Sequence, residues 1–195
     1  MRLELTFHGP FRVSTGDARS GVAGTVNRDD LIPASSLKGL MRASAALLLP
    51  HHEDLIAEIF GGRTTTGRRH ASPWHWAPVR FAEPPKIRQR ARIAVDPDTG
   101  AVKPDFLALN DEVWATTGSF EIVRHRPLST GAHARHVTVL ACAAAGVHAL
   151  GADRRRGLGW VSVRPVDPPM DESLLAAFEQ IVAESAPTAS GGSRA

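Results

Sequence analysis

Hydrophobic and polar residues alternate over the first seven positions of the chain, where Leu3, Leu5 and Phe7 are separated by polar side chains. Since alternate residues of a β-strand share one face, this pattern predicts a half-buried opening strand. Further along, apolar residues recur at helical spacing in some segments and alternate in others. These patterns predict helices over residues 35–49, 53–60, 132–150 and 171–184, and strands from residue 79, over 86–95, over 118–123 and from residue 160.

The order of these predicted elements is typical of an α+β fold in which helices cover one face of an antiparallel sheet. Three segments lack a clear period. Residues 14–30 are rich in Gly, Ser and Asp and predict a loop, whereas residues 62–77 are basic and aromatic and predict an exposed loop or hairpin. Residues 106–114 are ambiguous. We expect the last ten residues, 186–195, to be disordered.

The composition favours one domain with a substantial core, because the chain has 195 residues of which 43% are hydrophobic. Its formal charge of +3 with a pI of about 9.7 indicates a local basic patch rather than a uniformly cationic surface. Cys142 is the only cysteine, so no disulfide can form within the chain, which favours a reducing cytoplasm. No segment approaches the apolar length of a membrane span, and we expect no membrane partner.

The segment IPASSLKGLMR, residues 32–42, predicts a helix whose start can hold an anion. Ser35 or Ser36 is expected to cap the helix by accepting a hydrogen bond from a backbone N–H. Apolar residues that recur at helical spacing, the last of them Leu48, predict one buried stripe along this helix, and Lys38 and Arg42 lie one turn apart on the other side. Hydroxyls, free N–H groups, the positive end of the helix dipole and two cations together suit a phosphate. The alternative is an ordinary capped helix with a solvated basic face.

Basic residues recur in three further segments. In the strand predicted over residues 86–95, four cations share one face, with a solvated edge strand as the alternative. In GADRRRGLGW, residues 151–160, three arginines stand between glycines that let a backbone approach a phosphate closely; a charged surface turn is the alternative. Trp74 and Trp76, in the basic loop, add rings that can stack on bases. The candidate RNA-binding residues of these segments are Arg68, Arg69, Lys86, Arg88, Arg90, Arg92, Arg154, Arg155, Arg156 and Gly157.

Carboxylates precede the predicted anion-binding helix. Asp17, Asp29 and Asp30 lie in the loop before it. A carboxylate beside a phosphodiester can bind Mg²⁺ or assist attack by a 2′-hydroxyl, which makes these three residues catalytic candidates. The alternative for each one is solubility of the helix flank or pairing with Arg28.

Four segments, in order, resemble motifs of the RAMP superfamily of CRISPR-associated proteins. The segment at 32–42 resembles the superfamily's IPGSSLKGxxR, with Ala34 in place of the usual glycine. IFGG at 59–62 resembles the motif that ends the next helix. RARIAVDPDTGAV at 90–102, which leads to GSFEIV, resembles the R-x-x-I-D-x-x-T-G region and the strand after it. GADRRRGLGWVSV at 151–163 resembles the terminal glycine-rich loop and strand.

Within the superfamily the chain is most similar to the repeated backbone subunit of type III effector complexes. That resemblance implies a modified ferredoxin-like fold, of the RNA-recognition type, with inserted basic loops. It also implies that Ser35, Ser36, Lys38 and Arg42 hold guide-RNA phosphates and that Arg154 to Gly157 add a contact. The implied partners are CRISPR RNA, a complementary target RNA, copies of the chain and other effector subunits.

Active members of the family cleave the target RNA with a divalent metal and an acidic residue in the loop before the Ser-Ser-Leu-Lys segment. Here residues 23–27 read AGTVN where that aspartate usually lies. The resemblance therefore supports binding better than cleavage. Binding requires no cofactor, and Mg²⁺ is implied only if target RNA is cleaved.

Two other functions fit the same sequence. One is a metal-independent endoribonuclease of the same superfamily that processes CRISPR RNA with His8 or His133 as general base. The other is a catalytically silent scaffold that docks other subunits through its C-terminal helix. Outside catalysis, His133 and His136 are expected to form a polar helix entry. The predicted domains are an RNA-binding domain at 1–165, a helical extension at 166–185 and a disordered tail at 186–195.

Overall fold

The computed structural model describes residues 1–16, 21–103 and 107–184. Two β-sheets, a two-stranded ribbon and four α-helices make up most of this part of the chain. The helices are α1 (Ala34–Leu48), α2 (Glu53–Phe60), α3 (Thr130–Ala145) and α4 (Glu172–Ala183). The strands are β1 (Arg2–Phe7), β2 (Val22–Gly24), β3 (Gly62–Arg63), β4 (Arg69–His70), β5 (Trp74–Trp76), β6 (Arg80–Phe81), β7 (Lys86–Arg92), β8 (Ala108–Trp114), β9 (Thr117–Arg124) and β10 (Val161–Asp167).

The main sheet has the strand order β10-β1-β9-β5, with β6 also paired to β9, and its pairs are antiparallel. Its opening strand follows the alternation of the sequence, because Leu3, Leu5 and Phe7 are buried while the residues between them are more exposed. Phe120 and Ile122 of β9 are buried in the same core, as predicted. One face of the sheet therefore carries the apolar core against which the helices pack.

The central helix α3 packs against β10, α1 and α4. Its start is capped by Ser129, whose hydroxyl accepts a hydrogen bond from the Ala132 amide at 3.3 Å. The helix ends at Ala145, so the prediction of a helix to residue 150 is too long. Gly146 follows the last turn, and a Cβ at this glycine would lie 2.3 Å from Ser44 Oγ of α1. Close packing of α1 on α3 thus needs a glycine at this point.

The second sheet has the order β2-β8-β7, with β7 antiparallel and β2 parallel to β8. Its β8 falls within the segment that the sequence left ambiguous, and β2 falls within the predicted loop. Phe11 joins the two sheets by exchanging backbone hydrogen bonds of 2.9 and 2.8 Å with Val113 of β8. This sheet differs from the main one in its buried polar side chains. The buried polar residues on or beside it are Arg12, Thr25, Asn110, Asp111 and Glu112.

Two burial predictions are wrong. The segment 62–77 is a hairpin as far as His70, but Trp74 and Trp76 are only 4% and 3% exposed in β5. Their three-residue strand pairs with β9, which turns both rings into the core, so they cannot serve as the base-stacking rings that the sequence suggested. At the end of α1, Leu48 is 40% exposed and Leu49 is buried in its place.

The predicted α+β fold is confirmed, with antiparallel pairing in the main sheet and helices packed on its core. Helix α4 lies within the proposed extension at 166–185 and packs against α3, where Leu174 contacts Ala141 and Cys142. Burial raises the pKa of the Cys142 thiol to about 11. The domain boundaries stay a prediction, and the tail at 186–195 lies outside the described residues. Of the helices in the described ranges, none has the length and apolarity needed to cross a bilayer.

Candidate nucleic-acid interface

The start of α1 differs from the prediction that a serine caps it. Pro33 occupies the N-cap position, with an extended ψ of 137°, and no side chain accepts a hydrogen bond from the first turn. Its carbonyl accepts from the amides of Ser36 and Leu37 at 2.9 and 3.3 Å. The Ala34 and Ser35 amides have no acceptor among the described residues. The uncapped helix end therefore leaves N–H groups for an anion, and no acidic residue lies in its first turn.

Of the two cations of α1, Lys38 lies beside β5 and Arg42 beside β3, and neither forms an ion pair within the described ranges. Lys38 Nζ lies 5.1 Å from the centroid of the Trp76 ring. Burial, and secondarily the charge of Arg42, lowers the pKa of Lys38. A Cβ on Gly62 would lie 2.9 Å from Arg42 Nη2, so the guanidinium rests against the glycine backbone. The motifs at 32–42 and 59–62 thus meet at Arg42.

The β3–β4 hairpin extends this basic surface. Its tip is held to α2 by Asp54, whose carboxylate accepts from the Thr65 amide at 2.6 Å and from the Thr65 hydroxyl at 3.0 Å. Arg68 and Arg69 are exposed and form no ion pair within the described ranges. We call the residues Ser35, Ser36, Lys38, Arg42, Arg68 and Arg69 the helix cluster.

A second basic group is organised around Asp153, which adopts a left-handed backbone conformation with φ of 59°. Its carboxylate accepts a short hydrogen bond from the buried Arg12 and one of 2.9 Å from Arg92, and Arg156 lies 3.9 Å away. The hydrogen bond from Arg92, reinforced by the charges of Arg92, Arg12 and Arg156, lowers the pKa of Asp153 against the effect of burial. Arg154 and Arg155 are exposed and without an ion pair in the described parts of the chain.

The backbone beside Asp153 is equally constrained. The Ala152 amide donates to the Arg12 carbonyl at 2.7 Å, and a Cβ on Gly151 would lie 2.1 Å from that carbonyl oxygen. Only glycine fits there, with φ of 76°. Arg12, Arg92, Asp153, Arg154, Arg155, Arg156 and Gly157 are called the aspartate cluster here. The motifs at 90–102 and 151–163 meet in it.

The four cations of β7 fall into different environments. Arg92 is held by Asp153, and Arg90 lies 3.4 Å from the buried carboxylate of Glu112 on β8. Arg88 and Lys86 have no carboxylate partner in the described ranges, and the Arg88 guanidinium lies over the Trp114 ring. The repulsion expected between aligned cations is thus relieved by acidic residues at one end of the strand only.

The helix and aspartate clusters share no hydrogen bond, ion pair or ring contact among the described residues. The structure therefore brings the four motifs together in pairs, giving two basic surfaces. The role of each predicted RNA-binding residue stays a prediction.

Of the catalytic candidates, Asp29 and Asp30 are exposed and line an open cavity of about 420 Å³ beside Arg28, while Asp17 lies outside the described residues. No ion pair joins Arg28 to either aspartate, so the predicted pairing is wrong for these two. No group of three His, Cys, Asp or Glu side chains converges in the ranges that the structure describes.

The histidines of α3 are more buried than predicted. His136 is 1% exposed, its Nδ1 accepts from Trp74 Nε1 at 3.1 Å, and its Nε2 lies 3.3 Å from a Glu58 carboxylate oxygen. Burial lowers the pKa of His136, partly offset by Glu58. His133 lies over the Trp74 ring, with centroids 5.6 Å apart. His136 is thus a core residue that links β5, α2 and α3. The prediction that it belongs to a polar helix start is wrong.

Two residues central to the site were missed from the sequence. Arg12 gave no signal, because a single cation between Phe11 and Val13 is also the pattern of an exposed strand position. Asp153 did give a sequence signal, because it is a lone carboxylate directly before three arginines. That signal does not identify Arg12 as its partner, since Arg12 is remote in the chain. Arg12 Nε and Nη1 are buried without a hydrogen-bond partner in the described ranges, which shows how fully the fold encloses this side chain.

The fold and motifs together identify a class of CRISPR-associated protein. The family model for the RAMP superfamily matches residues 4–162, and the chain belongs to that superfamily. No curated protein sequence matches it.

Solved structures share the fold at low sequence identity. A chain of type III-B Cmr-beta in the apo state, determined by cryo-EM, has a TM-score of 0.65 at 12% identity, over 84% of this chain and 95% of that one. For Cmr-beta bound to cognate target RNA the TM-score is 0.66 at 13% identity, with 86% and 97% covered. A chain of a type IV-B CRISPR complex has a TM-score of 0.53 at 16% identity, with 83% and 88% covered. The similarity extends over nearly the whole length of each of those chains.

Proposed function

We propose that the chain is an RNA-binding backbone subunit of a type III-like CRISPR effector complex. One observation carries the proposal: in a RAMP fold, the uncapped N-terminus of α1 presents free amides beside Lys38 and Arg42, and no carboxylate neutralises these cations within the described residues. Such a combination suits an anionic ligand such as a phosphate oxygen.

In this proposal, the bound polymer is a CRISPR RNA that pairs with a target RNA in the cytoplasm. Copies of the chain and other effector subunits would assemble along it. Support comes from the likeness of the whole fold to chains of two Cmr-beta structures, one of them bound to cognate target RNA. The exposed arginines of the aspartate cluster, Arg154 and Arg155, would contact the RNA backbone at a second point.

Cleavage of target RNA is not part of the proposed function. The segment 23–27 holds no carboxylate, and the exposed Asp29 and Asp30 are the described candidates near α1. If they do cut RNA, Mg²⁺ is required, and singly changing each aspartate to Ala should abolish the product. An unchanged product with both variants would exclude these two residues from the chemistry.

The test of RNA binding is the double variant Lys38→Ala with Arg42→Ala. Removing two phosphate contacts should weaken the binding of single-stranded RNA about tenfold to a hundredfold at low salt, because each contact releases counterions. A filter-binding titration at several salt concentrations measures both the affinity and its salt dependence.

The matched control replaces two exposed arginines elsewhere, Arg124→Ala with Arg126→Ala, and removes the same charge. Equal losses in the two double variants would show that only net charge matters. Unchanged affinity after loss of Lys38 and Arg42 would contradict the proposal.

A processing endoribonuclease is the second candidate, and the surroundings of His8 favour it. The exposed His8 ring lies 5.1 Å from Trp160 between centroids, and its Nε2 is 2.7 Å from Ser162 Oγ. Site-specific cleavage of repeat RNA by the isolated protein in EDTA, lost in His8→Ala, would establish this activity. RNA that stays intact would exclude it.

A further inference from the structure

A cavity of about 250 Å³ lies where β8 turns into β9, away from both basic clusters. The aromatic residue in its lining is Trp114, the last residue of β8, whose side chain is 41% exposed. A tryptophan left this open at a concave site is available to a planar ligand, since the faces of its indole ring bind other π-systems. The cavity is lined by Glu83, Pro84, Lys86, Arg88, Trp114, Ala115 and Thr116.

The cations of this cavity differ from their neighbours on β7. Arg88 lies with its guanidinium carbon 5.6 Å from the Trp114 ring centroid, and Lys86 pairs with Trp114 in the strand register. Neither cation has a carboxylate partner among the described residues, whereas Arg90 and Arg92 do. Two unneutralised donors therefore lie beside one partly exposed indole ring, and the Arg88 guanidinium covers one face of that ring.

We propose that this cavity binds one unpaired nucleotide of single-stranded RNA. The base stacks on Trp114, and the phosphate is held by Lys86 and Arg88. Stacking on an aromatic side chain and contact with cations are the two terms that bind single-stranded nucleic acid without sequence preference. The inference rests on the proposed RNA-binding function and adds a nucleotide site to it. An acidic peptide is the competing ligand.

Tryptophan fluorescence can isolate this site with adenosine monophosphate as the probe. Trp74 and Trp76 are buried and give a constant signal, so the exposed rings are Trp114 and Trp160. In Trp160→Phe, only Trp114 can respond, and AMP should quench it in a saturable way. In the matched control Trp114→Phe, the exposed Trp160 remains, and AMP should have little effect. Acrylamide should quench both variants, which verifies that each exposed ring remains accessible.

The cations are tested in the Trp160→Phe background. Lys86→Gln and Arg88→Gln should each weaken the apparent affinity for AMP about tenfold, because one charged phosphate contact is lost. Adenosine should bind more weakly than AMP, and inorganic phosphate should not quench. Equal quenching of both tryptophan variants by AMP, or of neither, would overturn the proposal. Saturable quenching of Trp114 by a hexa-aspartate peptide but not by AMP would do the same.

A parallel titration with single-stranded RNA separates this inference from the proposed function. RNA binding by the wild-type protein, without AMP quenching of Trp114, would sink the nucleotide site and leave the proposed function standing. AMP quenching of Trp114 in a protein that binds no RNA would leave a site for a free nucleotide and would overturn both the proposed function and the assignment of this cavity to RNA. If both hold, Trp114→Ala should weaken RNA binding about tenfold, as expected for the loss of one stacked base.

Discussion

The helix cluster and the aspartate cluster are both rich in Lys and Arg, but only the second has a carboxylate among its cations. Around α1, Lys38 and Arg42 lie against Trp76 and Gly62, with no carboxylate to neutralise them within the described ranges. Around Asp153, three arginines converge on one carboxylate. All the cations of the first cluster are open to an anion, whereas in the second cluster three of the five arginines lie within 4 Å of the protein's own carboxylate.

This difference separates two uses of arginine. Arg12 and Arg92 are directed inward, where they hold the left-handed turn at Asp153 and connect it to the second sheet. Arg154 and Arg155 are left outside that turn. A count of positive charges in the sequence therefore overestimates the number of cations available to RNA. Among the predicted RNA contacts, the one at Arg92 loses the most support, because its guanidinium is already paired with Asp153.

The largest effect is expected from Asp153→Ala. The variant leaves the buried Arg12 charge without a counter-ion, and the free energy of unfolding should fall by about 3–5 kcal/mol. Chemical denaturation measures this loss. In the open cluster, Arg42→Ala should change the same quantity by no more than about 0.5 kcal/mol, since Arg42 is exposed and without an ion pair. Similar losses in both variants would contradict the comparison.

The next largest effect is the difference in stability between alanine substitutions at two glycines, one beside Arg12 and one on α1. A Cβ on Gly24 would lie 2.6 Å from both Arg12 Nη1 and Asn110 Oδ1, so Gly24→Ala should destabilise the protein by about 1–3 kcal/mol. Gly39 of α1 has nothing within 4 Å of such a Cβ. Gly39→Ala should therefore stabilise the helix, by about 0.5–1 kcal/mol. Thermal unfolding of the two variants tests the opposite signs, and destabilisation by Gly39→Ala would show that α1 is less open than described.

The pH dependence should distinguish the clusters by a smaller effect. The pKa of Asp153 is lowered in the folded protein, chiefly by the hydrogen bond from Arg92. Its stabilising contribution is therefore complete above the pKa of an unfolded aspartate and is lost as the pH falls through the folded value. The difference in unfolding free energy between the wild type and Asp153→Asn should accordingly shrink from pH 7 to pH 3. A difference that is constant with pH would refute the assigned role of this carboxylate.

The smallest expected effect is on the salt dependence of RNA binding. Arg42→Ala and Arg154→Ala should each reduce the slope of log affinity against log salt by about 0.7, the value for one phosphate contact on single-stranded nucleic acid. Arg92→Ala should leave the slope nearly unchanged, because its guanidinium is already paired with Asp153. A slope change for Arg92 equal to that for Arg42 would mean that RNA displaces the carboxylate.

Helices and strands whose apolar spacing is sustained over many residues were predictable from the sequence. Short strands that exist only because they pair with a segment far away in the chain were not. Helix α2 begins and ends where its apolar spacing indicates, and β1 and β9 bury the predicted residues. The short β5 has too few residues to show a period, so only its pairing with β9 reveals that Trp74 and Trp76 are buried. The N-cap of α1 was missed for a local reason, since Pro33 takes the position assigned to a serine.

By itself, the sequence determined the α+β class, the four ordered motifs of the superfamily and the position of the basic residues along the chain. Those properties follow from local spacing, which a linear pattern records. Only the tertiary structure decided which cations are neutralised. Asp153 and Arg12 are 141 residues apart, and their contact exists because β8 and the glycine-rich turn close on the segment after β1. Whether a carboxylate neutralises an arginine depends on the distance between the two charges in space. The division of the arginines into enclosed and open ones therefore appears only in the folded chain.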